Sequence, residues 1–155
     1  MRRLAPDDWE SYRDIRLRAL RIDPSAFSSQ AHVEEAFDQG RWRQRLSRAA
    51  VFVAEAEGGP IGLVAGIEAP EGDGAELVSM WVAPEWRGHG AAAPLIEAVR
   101  EWAARSRFER LGLWVVEGNL VAEKAYAKAG FERTGRRQPV REGEPAMEFE
   151  MARRP

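Results

Sequence analysis

The sequence predicts a mixed α/β domain in which one β-sheet is covered by helices on both faces. Three observations predict this class. Apolar residues recur at helical spacing near the N-terminus, the period then changes to that of strands over three successive runs, and strands and helices alternate afterwards. The predicted element order is β-α-α-β-β-β-α-β-α-β-β. With 155 residues, 45% of them hydrophobic, the chain is long enough to bury a core as one domain, 1–155.

The N-terminal third is predicted to be helical after a short first strand. Asp7 is expected to cap the first helix, with Glu10 as its capping-box partner, and the Asp23-Pro24 pair is expected to end it. A second helical region is expected over residues 33–46, weakened at Gly40.

Three strands are predicted next, from the runs AAVFVAEA, IGLVAGIEA and AELVSMWV. The last run is apolar on both faces, as expected of a central strand that is covered on both sides. The rest of the chain is predicted as a helix over 90–105, the strand LGLWVV and a helix from Asn119 to Ala129. Two final strands are expected around the turn PVREGEP.

Charge and residue counts exclude several functions. The formal net charge of -2 argues against a protein that binds nucleic acid or an anionic membrane. No cysteine is present and the two histidines, His32 and His89, are far apart, so neither a disulfide nor a metal site is expected. No apolar run resembles a signal peptide or is long enough to span a bilayer, which predicts a cytoplasmic location.

The stretch between the third strand of this group and the next helix has the features of an anion site. Gly88 and Gly90 follow Arg87 in the pattern G-x-G-x-x-A. A dinucleotide-binding fold would need repeated βαβ units after this pattern, and only one more strand–helix pair follows. No Gly-Lys-Ser/Thr is present, which excludes a P-loop. Glycines at a helix N-terminus let backbone N–H groups approach an anion, and Arg87 is expected to add a fixed positive charge. A pyrophosphate therefore suits this position.

Two motifs in order resemble the GNAT superfamily of acetyl-CoA-dependent N-acetyltransferases. Arg87-x-x-Gly90-x-Ala92 is similar to the family's first signature, R/Q-x-x-G-x-G/A. A second signature, N-x-x-A-x-x-x-Y-x-x-x-G-F, is matched by Asn119, Ala122, Tyr126 and Gly130-Phe131. The opening RLRAL..DPSAF over residues 16–27 looks like that of bacterial, often uncharacterised, members. The resemblance covers nearly the whole chain and implies a mainly antiparallel central sheet flanked by helices.

The resemblance implies a site for acetyl-CoA as co-substrate, without a metal. The pyrophosphate is expected on the backbone of Arg87, Gly88, His89, Gly90, Ala91 and Ala92. The pantetheine arm is expected beside Met80, Trp81 and Val82, where family members bulge and splay from the next strand, and at Asn119. Tyr126 is implied as the acid that protonates the departing thiolate, and Glu76 as the general base. His89 occupies a variable position and is given no catalytic role.

Each of these assignments has a structural alternative that the sequence leaves open. Tyr126 could be a packed core residue, Asn119 only a helix cap, and Glu76 a solvated carboxylate. Gly88 and Gly90 could form a plain turn.

The resemblance implies direct transfer of the acetyl group to a primary amine of a small molecule or a protein, within a ternary complex. An acetyl-CoA-binding regulatory module without transferase activity, and a nucleotide-dependent enzyme, remain the other readings. The acceptor pocket is expected from residues 16–47 and 134–147. The carboxylates Glu34, Glu35 and Asp38 could attract a cationic acceptor or could form a solvated face. A homodimer is compatible with the six tryptophans.

Overall fold

The computed structural model describes all 155 residues and contains one seven-stranded sheet. The strands are β1 (Arg2–Arg3), β2 (Ala50–Ala56), β3 (Gly59–Glu68), β4 (Ala75–Val82), β5 (Leu111–Val116), β6 (Glu132–Pro139) and β7 (Met147–Arg153). Their order in the sheet is β1-β2-β3-β4-β5-β7-β6. Only β4 and β5 run parallel, and every other neighbouring pair is antiparallel. The mainly antiparallel sheet that the family resemblance implies is therefore confirmed.

Five α-helices accompany the sheet: α1 (Trp9–Ile22), α2 (Ala31–Glu34), α3 (Gln39–Arg48), α4 (Ala92–Arg105) and α5 (Leu120–Lys128). Two separate cores show that helices cover both faces, as predicted. One core joins α1 and α3 to one face through side chains such as Leu20, Trp42 and Val53. The other joins α4 and α5 to the opposite face, with Leu95 and Leu113 at its centre. None of the helices has the length and apolar character needed to cross a membrane.

The start of α1 differs from the prediction. Asp8, not Asp7, supports the helix start, because its Oδ2 accepts a hydrogen bond from the backbone N–H of Ala5 at 2.7 Å. This is the returning half of a capping box, and the methyl side chain of Ala5 has no acceptor to supply the other half. Asp7 instead forms an ion pair with Arg43 of α3. The short 3-10 turn Pro6–Asp8 shifts the α-helical start to Trp9.

The second helical region is two helices rather than one. Helix α2 ends at Glu34, and Asp38 caps α3 by accepting a hydrogen bond from the N–H of Arg41 at 2.8 Å. Gly40, predicted as the weak point, lies inside the first turn of α3. Because the carboxylate of Asp38 caps α3, the break between the two helices comes before Gly40 and not at it.

Strands β4 and β5 separate almost as soon as they meet. They pair only at Ala75 with Leu111 and at Glu76 with Gly112. Beyond that point the edge of β4 that faces β5 has no strand partner. Gly74 permits the close start, because a Cβ there would lie 2.4 Å from the carbonyl oxygen of Arg110 and the backbone has a φ of +84°. The two strands thus form a fork that is closed at one end and open at the other.

A bulge lies in β4 just beyond the closed end of this fork. The register with β3 shifts between Leu63, opposite Trp81, and Ala65, opposite Val78, so β4 has one residue more than β3 over this stretch. Ser79 lies in the bulge with a φ of +59°, in the left-handed region. The strand is therefore bulged and splayed, in the manner that the resemblance implies.

A buried ion pair lies beneath the bulge and contradicts the expected solvated or acceptor-binding role of Glu34. The carboxylate of Glu34 is fully buried and accepts two hydrogen bonds from Arg16, each at 3.0 Å. Arg45 adds a third at 2.7 Å. Burial alone raises the pKa of Glu34, but the bonds and charge of Arg16, with bonds from Arg45 and Ser29, lower it to about 2. Glu34 is therefore ionised and unavailable to a ligand.

We expect Glu34→Gln to destabilise the fold by about 3–5 kcal/mol at pH 7, because it leaves Arg16 buried without its counter-charge. A folded-state pKa lowered from 4.5 to about 2 means that ionised Glu34 stabilises the fold above pH 4.5, and that this stabilisation is lost as the pH falls through about 2. The difference in unfolding free energy between parent and variant should therefore be smaller at pH 3 than at pH 7 in urea titrations.

Glu35→Gln is the matched control for this prediction. Its partner is Arg21, and both side chains are largely exposed. Exposed pairs contribute little, so we expect a loss below about 1 kcal/mol. Equal losses in the two variants would contradict the buried-pair account.

Candidate active site

The loop between β4 and α4 presents a row of unpaired backbone donors. Gly88 and Gly90 have φ values of +79° and +81°, which only glycine adopts readily. The N–H groups of residues 88–91 donate to no protein atom. The first N–H groups of α4, which begins at Ala92, also lack partners within the helix. Together with the positive end of the helix dipole, these donors suit an anion, as the sequence predicted.

The side chain of Arg87 has a different environment from the one predicted. It is not a free positive charge, because its Nη2 donates to Oδ2 of Asp23 at 2.6 Å and its Nε to the carbonyl oxygen of Val82 at 3.0 Å. The same Asp23 oxygen accepts a hydrogen bond from the indole of Trp81 at 2.7 Å. Asp23 therefore fastens the loop to β4, and the anion donors that remain are the backbone amides. His89 is exposed; its Nδ1 lies 3.3 Å from the carbonyl oxygen of Arg87, and its ring packs edge to face on Trp86, with 6.1 Å between the centroids.

The side chains of the last three residues of β4, Met80, Trp81 and Val82, pack alternately into the two cores. The side chain of Trp81 is buried against α1, whereas Met80 and Val82 pack on the α4 side and are partly buried. Their backbone lies on the part of β4 that β5 has left. The unpaired edge leads from the bulge at Ser79 to the loop of free amides, which gives an extended ligand a continuous path.

Helix α5 and the residue that caps it contain the two residues of the second motif that are assigned to the site, Asn119 and Tyr126. Asn119 is a helix cap, because its Oδ1 accepts a hydrogen bond from the N–H of Ala122 at 3.1 Å. Tyr126 is 7% exposed and packs edge to face on Phe131, with 6.0 Å between the ring centroids. Burial raises the pKa of Tyr126, so its hydroxyl keeps its proton. That hydroxyl has no protein hydrogen-bond partner, yet it is not sealed from solvent.

A cavity of about 260 Å³ lies at the closed end of the fork. Glu76 lines it from β4, and Gly112 and Trp114 line it from β5. Burial raises the pKa of Glu76, and the charges of Glu148, Glu150 and Glu71 raise it further. Glu76 is thus a partly buried carboxylate beside a cavity rather than a solvated one.

The opposite wall of the cavity comes from residues that the sequence did not single out. Glu150 of β7 is 4% exposed and accepts hydrogen bonds from Arg110 at 2.8 Å, Thr134 at 2.7 Å and Arg136 at 3.3 Å. Arg136 also lies over the ring of Trp114, 5.5 Å from its centroid. The alternation of β7 marks Glu150 only as facing one side of the sheet, and no local pattern links it to Glu76.

The expected acceptor region is only partly the region that lines this cavity. Residues 134–147 contribute Arg136 and Gln138, but residues 16–47 contribute nothing to its wall. The segment 69–76 and strand β5 supply the missing wall, because the fork closes there. Asp38 and Glu35 are occupied elsewhere, as a helix cap and in an ion pair with Arg21.

Comparison with known proteins gives a consistent assignment. The model of the Acetyltransferase (GNAT) family matches residues 9–131. An uncharacterised N-acetyltransferase of Methanocaldococcus jannaschii is 28% identical over 140 residues, which are 85% of this chain and 60% of that protein. The chain thus spans less than two thirds of the length of that relative.

Two solved structures share the fold. Ribosomal-protein-alanine N-acetyltransferase from Brucella melitensis superposes with a TM-score of 0.79 at 23% identity, covering 99% of this chain and 98% of that one. YncA from Salmonella typhimurium, solved with its cofactor acetyl-CoA, has a TM-score of 0.78 at 16% identity, covering 99% and 91%. The family match extends over most of the chain, from α1 through the loop of free amides to Phe131. The chain therefore belongs to the GNAT family of acetyltransferases and is an acyltransferase.

Proposed function

We propose that residues 1–155 form one N-acetyltransferase domain that moves an acetyl group from acetyl-CoA to a primary amine by direct attack in a ternary complex. The observation that carries this proposal is the fork between β4 and β5. Its open end leads to a loop of unpaired amides, and its closed end holds a cavity lined by Glu76. The open end therefore suits the phosphates of acetyl-CoA, and the closed end suits the amine that accepts the acetyl group.

The residues present fit acetyl-CoA. The amides of Gly88, His89, Gly90 and Ala91, with the N-terminus of α4 at Ala92, would hold the pyrophosphate. The unpaired edge of β4 at Met80, Trp81 and Val82 would hold the pantetheine amides, as a neighbouring strand would. Asn119 would add a contact only through groups that its capping bond leaves free. When bound, acetyl-CoA supplies a thioester whose carbonyl carbon can be attacked by a nucleophile.

Glu76 is proposed as the general base. An aliphatic amine has a pKa of roughly 10.4, so it arrives protonated at neutral pH and must lose a proton before it can attack. A raised pKa makes the Glu76 carboxylate a stronger base than an ordinary glutamate. Its position in the cavity wall, directly or through water, suits removal of that proton.

Tyr126 is proposed as the proton donor to the departing sulfur. Its hydroxyl is protonated at working pH and has no competing protein partner. The thiol that leaves resembles that of cysteine, with a pKa of roughly 8.5, so its thiolate departs fairly well unaided. A hydrogen bond from Tyr126 therefore assists the reaction without being indispensable.

The charge of the cavity favours cationic acceptors. Its wall contains the carboxylates of Glu71, Asp73, Glu76 and Glu150 against the guanidinium groups of Arg110 and Arg136. This excess of negative charge attracts a protonated amine and raises its local concentration. The acceptor is accordingly a primary amine of a small molecule or of a protein.

An amine screen tests the activity directly. Thiol release from acetyl-CoA should be detected with diamines, amino sugars, lysine peptides or peptides with an N-terminal alanine, and mass spectrometry should find the acetylated amine. Tight CoA binding with no transfer to any member would instead indicate an acetyl-CoA-binding regulatory module.

We expect Gly90→Asp to weaken CoA binding by at least about tenfold, because it brings a carboxylate to the pyrophosphate position. Isothermal titration calorimetry with CoA measures the effect. The matched control is Gly143→Asp, since Gly143 has a similar φ of +82° and equally open surroundings in the β6–β7 turn. If the folded Gly90 variant binds CoA as tightly as the control variant, the loop is not the pyrophosphate site.

Glu76→Gln should lower kcat/KM by about 10²-fold near pH 7. The deficit should narrow toward pH 10, where the amine is already neutral. The parent should also lose activity as acid protonates Glu76 below a pKa raised from 4.5, and the variant should lack that acidic limb. Full pH–rate profiles test this, with Glu68→Gln, an exposed carboxylate that does not line the cavity, as control. Parallel profiles of parent and Glu76→Gln would remove Glu76 from the mechanism.

Tyr126→Phe should lower kcat by about 10²-fold with little change in the KM for acetyl-CoA, because the hydroxyl acts on the departing group. Tyr12→Phe is the control, since Tyr12 is the only other tyrosine and lies in the core on the opposite face of the sheet. Steady-state kinetics with viscosity controls would show whether chemistry limits kcat. An unchanged kcat under chemistry-limited conditions would make Tyr126 a packing residue.

A further inference from the structure

The bulge in β4 contains a residue that is out of its preferred conformation. Ser79 has a φ of +59°, and its Cβ approaches the following carbonyl oxygen in that region. Glycine or asparagine would adopt this conformation more easily. A serine stays there only when its surroundings hold it.

Arg16 of α1 is the side chain that holds Ser79. Its Nη1 donates to Oγ of Ser79 at 3.0 Å, and no other side chain forms a hydrogen bond with the serine. The guanidinium cannot move away, because its Nε and Nη2 are both bound by the buried Glu34 at 3.0 Å. Its face also stacks over Phe27, 4.8 Å from the ring centroid. The guanidinium of Arg16 is therefore held rigidly. Its single hydrogen bond to the hydroxyl of Ser79 can for this reason fix the backbone conformation of Ser79.

The position of the bulge gives this bond a consequence for ligand binding. Ser79 lies between Glu76, where β4 leaves β5, and the unpaired edge at Met80, Trp81 and Val82. Loss of the bulge would shift the pairing of β4 with β3 by one residue beyond Ser79. Because side chains alternate along a strand, each side chain after Ser79 would then move to the other face of the sheet. Trp81 would then leave the α1 core, and the backbone donors of the edge would change direction.

We propose that Arg16, held by Glu34, is a positioning residue for acetyl-CoA that acts by fixing the bulge at Ser79 and thereby the direction of the β4 edge. This inference rests on the proposed function, because the edge is the one assigned to the pantetheine arm. Arg16 itself is buried, and its side chain forms hydrogen bonds only with Glu34 and Ser79.

The test measures CoA dissociation constants by calorimetry, with kcat, KM and Tm for the same proteins. Ser79→Ala removes the acceptor and keeps the strain, so the CoA Kd should rise about fivefold, as expected for one lost hydrogen bond. Ser79→Gly also removes the acceptor but adopts a positive φ freely, so its Kd should rise less. Arg16→Lys keeps the charge beside Glu34 but lacks the planar fork, and it should match Ser79→Ala. The double variant Arg16→Lys/Ser79→Ala should be no worse than the weaker-binding single variant.

Arg21→Lys is the matched control, because Arg21 lies on the same helix and its side chain forms hydrogen bonds with Glu35 and none with β4. Its CoA Kd should equal that of the parent. Equal losses in Ser79→Ala and Ser79→Gly, or additive losses in the double variant, would overturn the proposal. A lower Tm with an unchanged Kd would do the same. A parent that binds no CoA would refute the proposed function itself, whereas a parent that binds normally beside unaffected variants would refute only the positioning role.

Discussion

The structure depends on one constraint: β4 must stay paired with β3 along its length and leave β5 after two residues. If β4 were regular and paired with both neighbours along its length, all of its backbone N–H groups would form hydrogen bonds within the sheet. The bulge at Ser79 bends β4 away, and Gly74 brings its start close enough to Arg110 for β5 to be joined at all. The resulting fork leaves polar backbone exposed in the middle of a sheet, which is where a ligand can complete it.

The two ends of the fork differ in electrostatic character. At the open end, free N–H groups and the start of α4 give a positive potential without an unpaired basic side chain, because Arg87 is neutralised by Asp23. At the closed end, carboxylates outnumber guanidinium groups, and burial, followed by repulsion from the neighbouring carboxylates, raises the pKa of Glu76. This difference in charge favours an acetyl donor with its phosphates at the open end and an amine acceptor with its ammonium group at the closed end.

Helix α1 links these features, although it contributes nothing to the cavity wall. Near its middle, Arg16 reaches the bulge, and just after its end Asp23 contacts both Trp81 and Arg87. One helix thus braces β4 and the loop that follows it at two points. The cost of burying Arg16 is offset by Glu34, whose own burial is tolerable because Arg45 supplies a second charge.

The sequence by itself determined the features that depend on neighbours along the chain. The order of the strands along the chain, the cap at Asn119, and the glycines before α4 follow from spacing and from local backbone chemistry. The start of α1 was missed by one residue, because Asp7 and Asp8 are equally plausible until one of them reaches Ala5. The tertiary structure alone decided that Glu34 is a buried counter-ion and that Glu150 shares a cavity with Glu76. These roles arise between residues far apart in sequence, where burial and pairing, not periodicity, determine the behaviour of a charge.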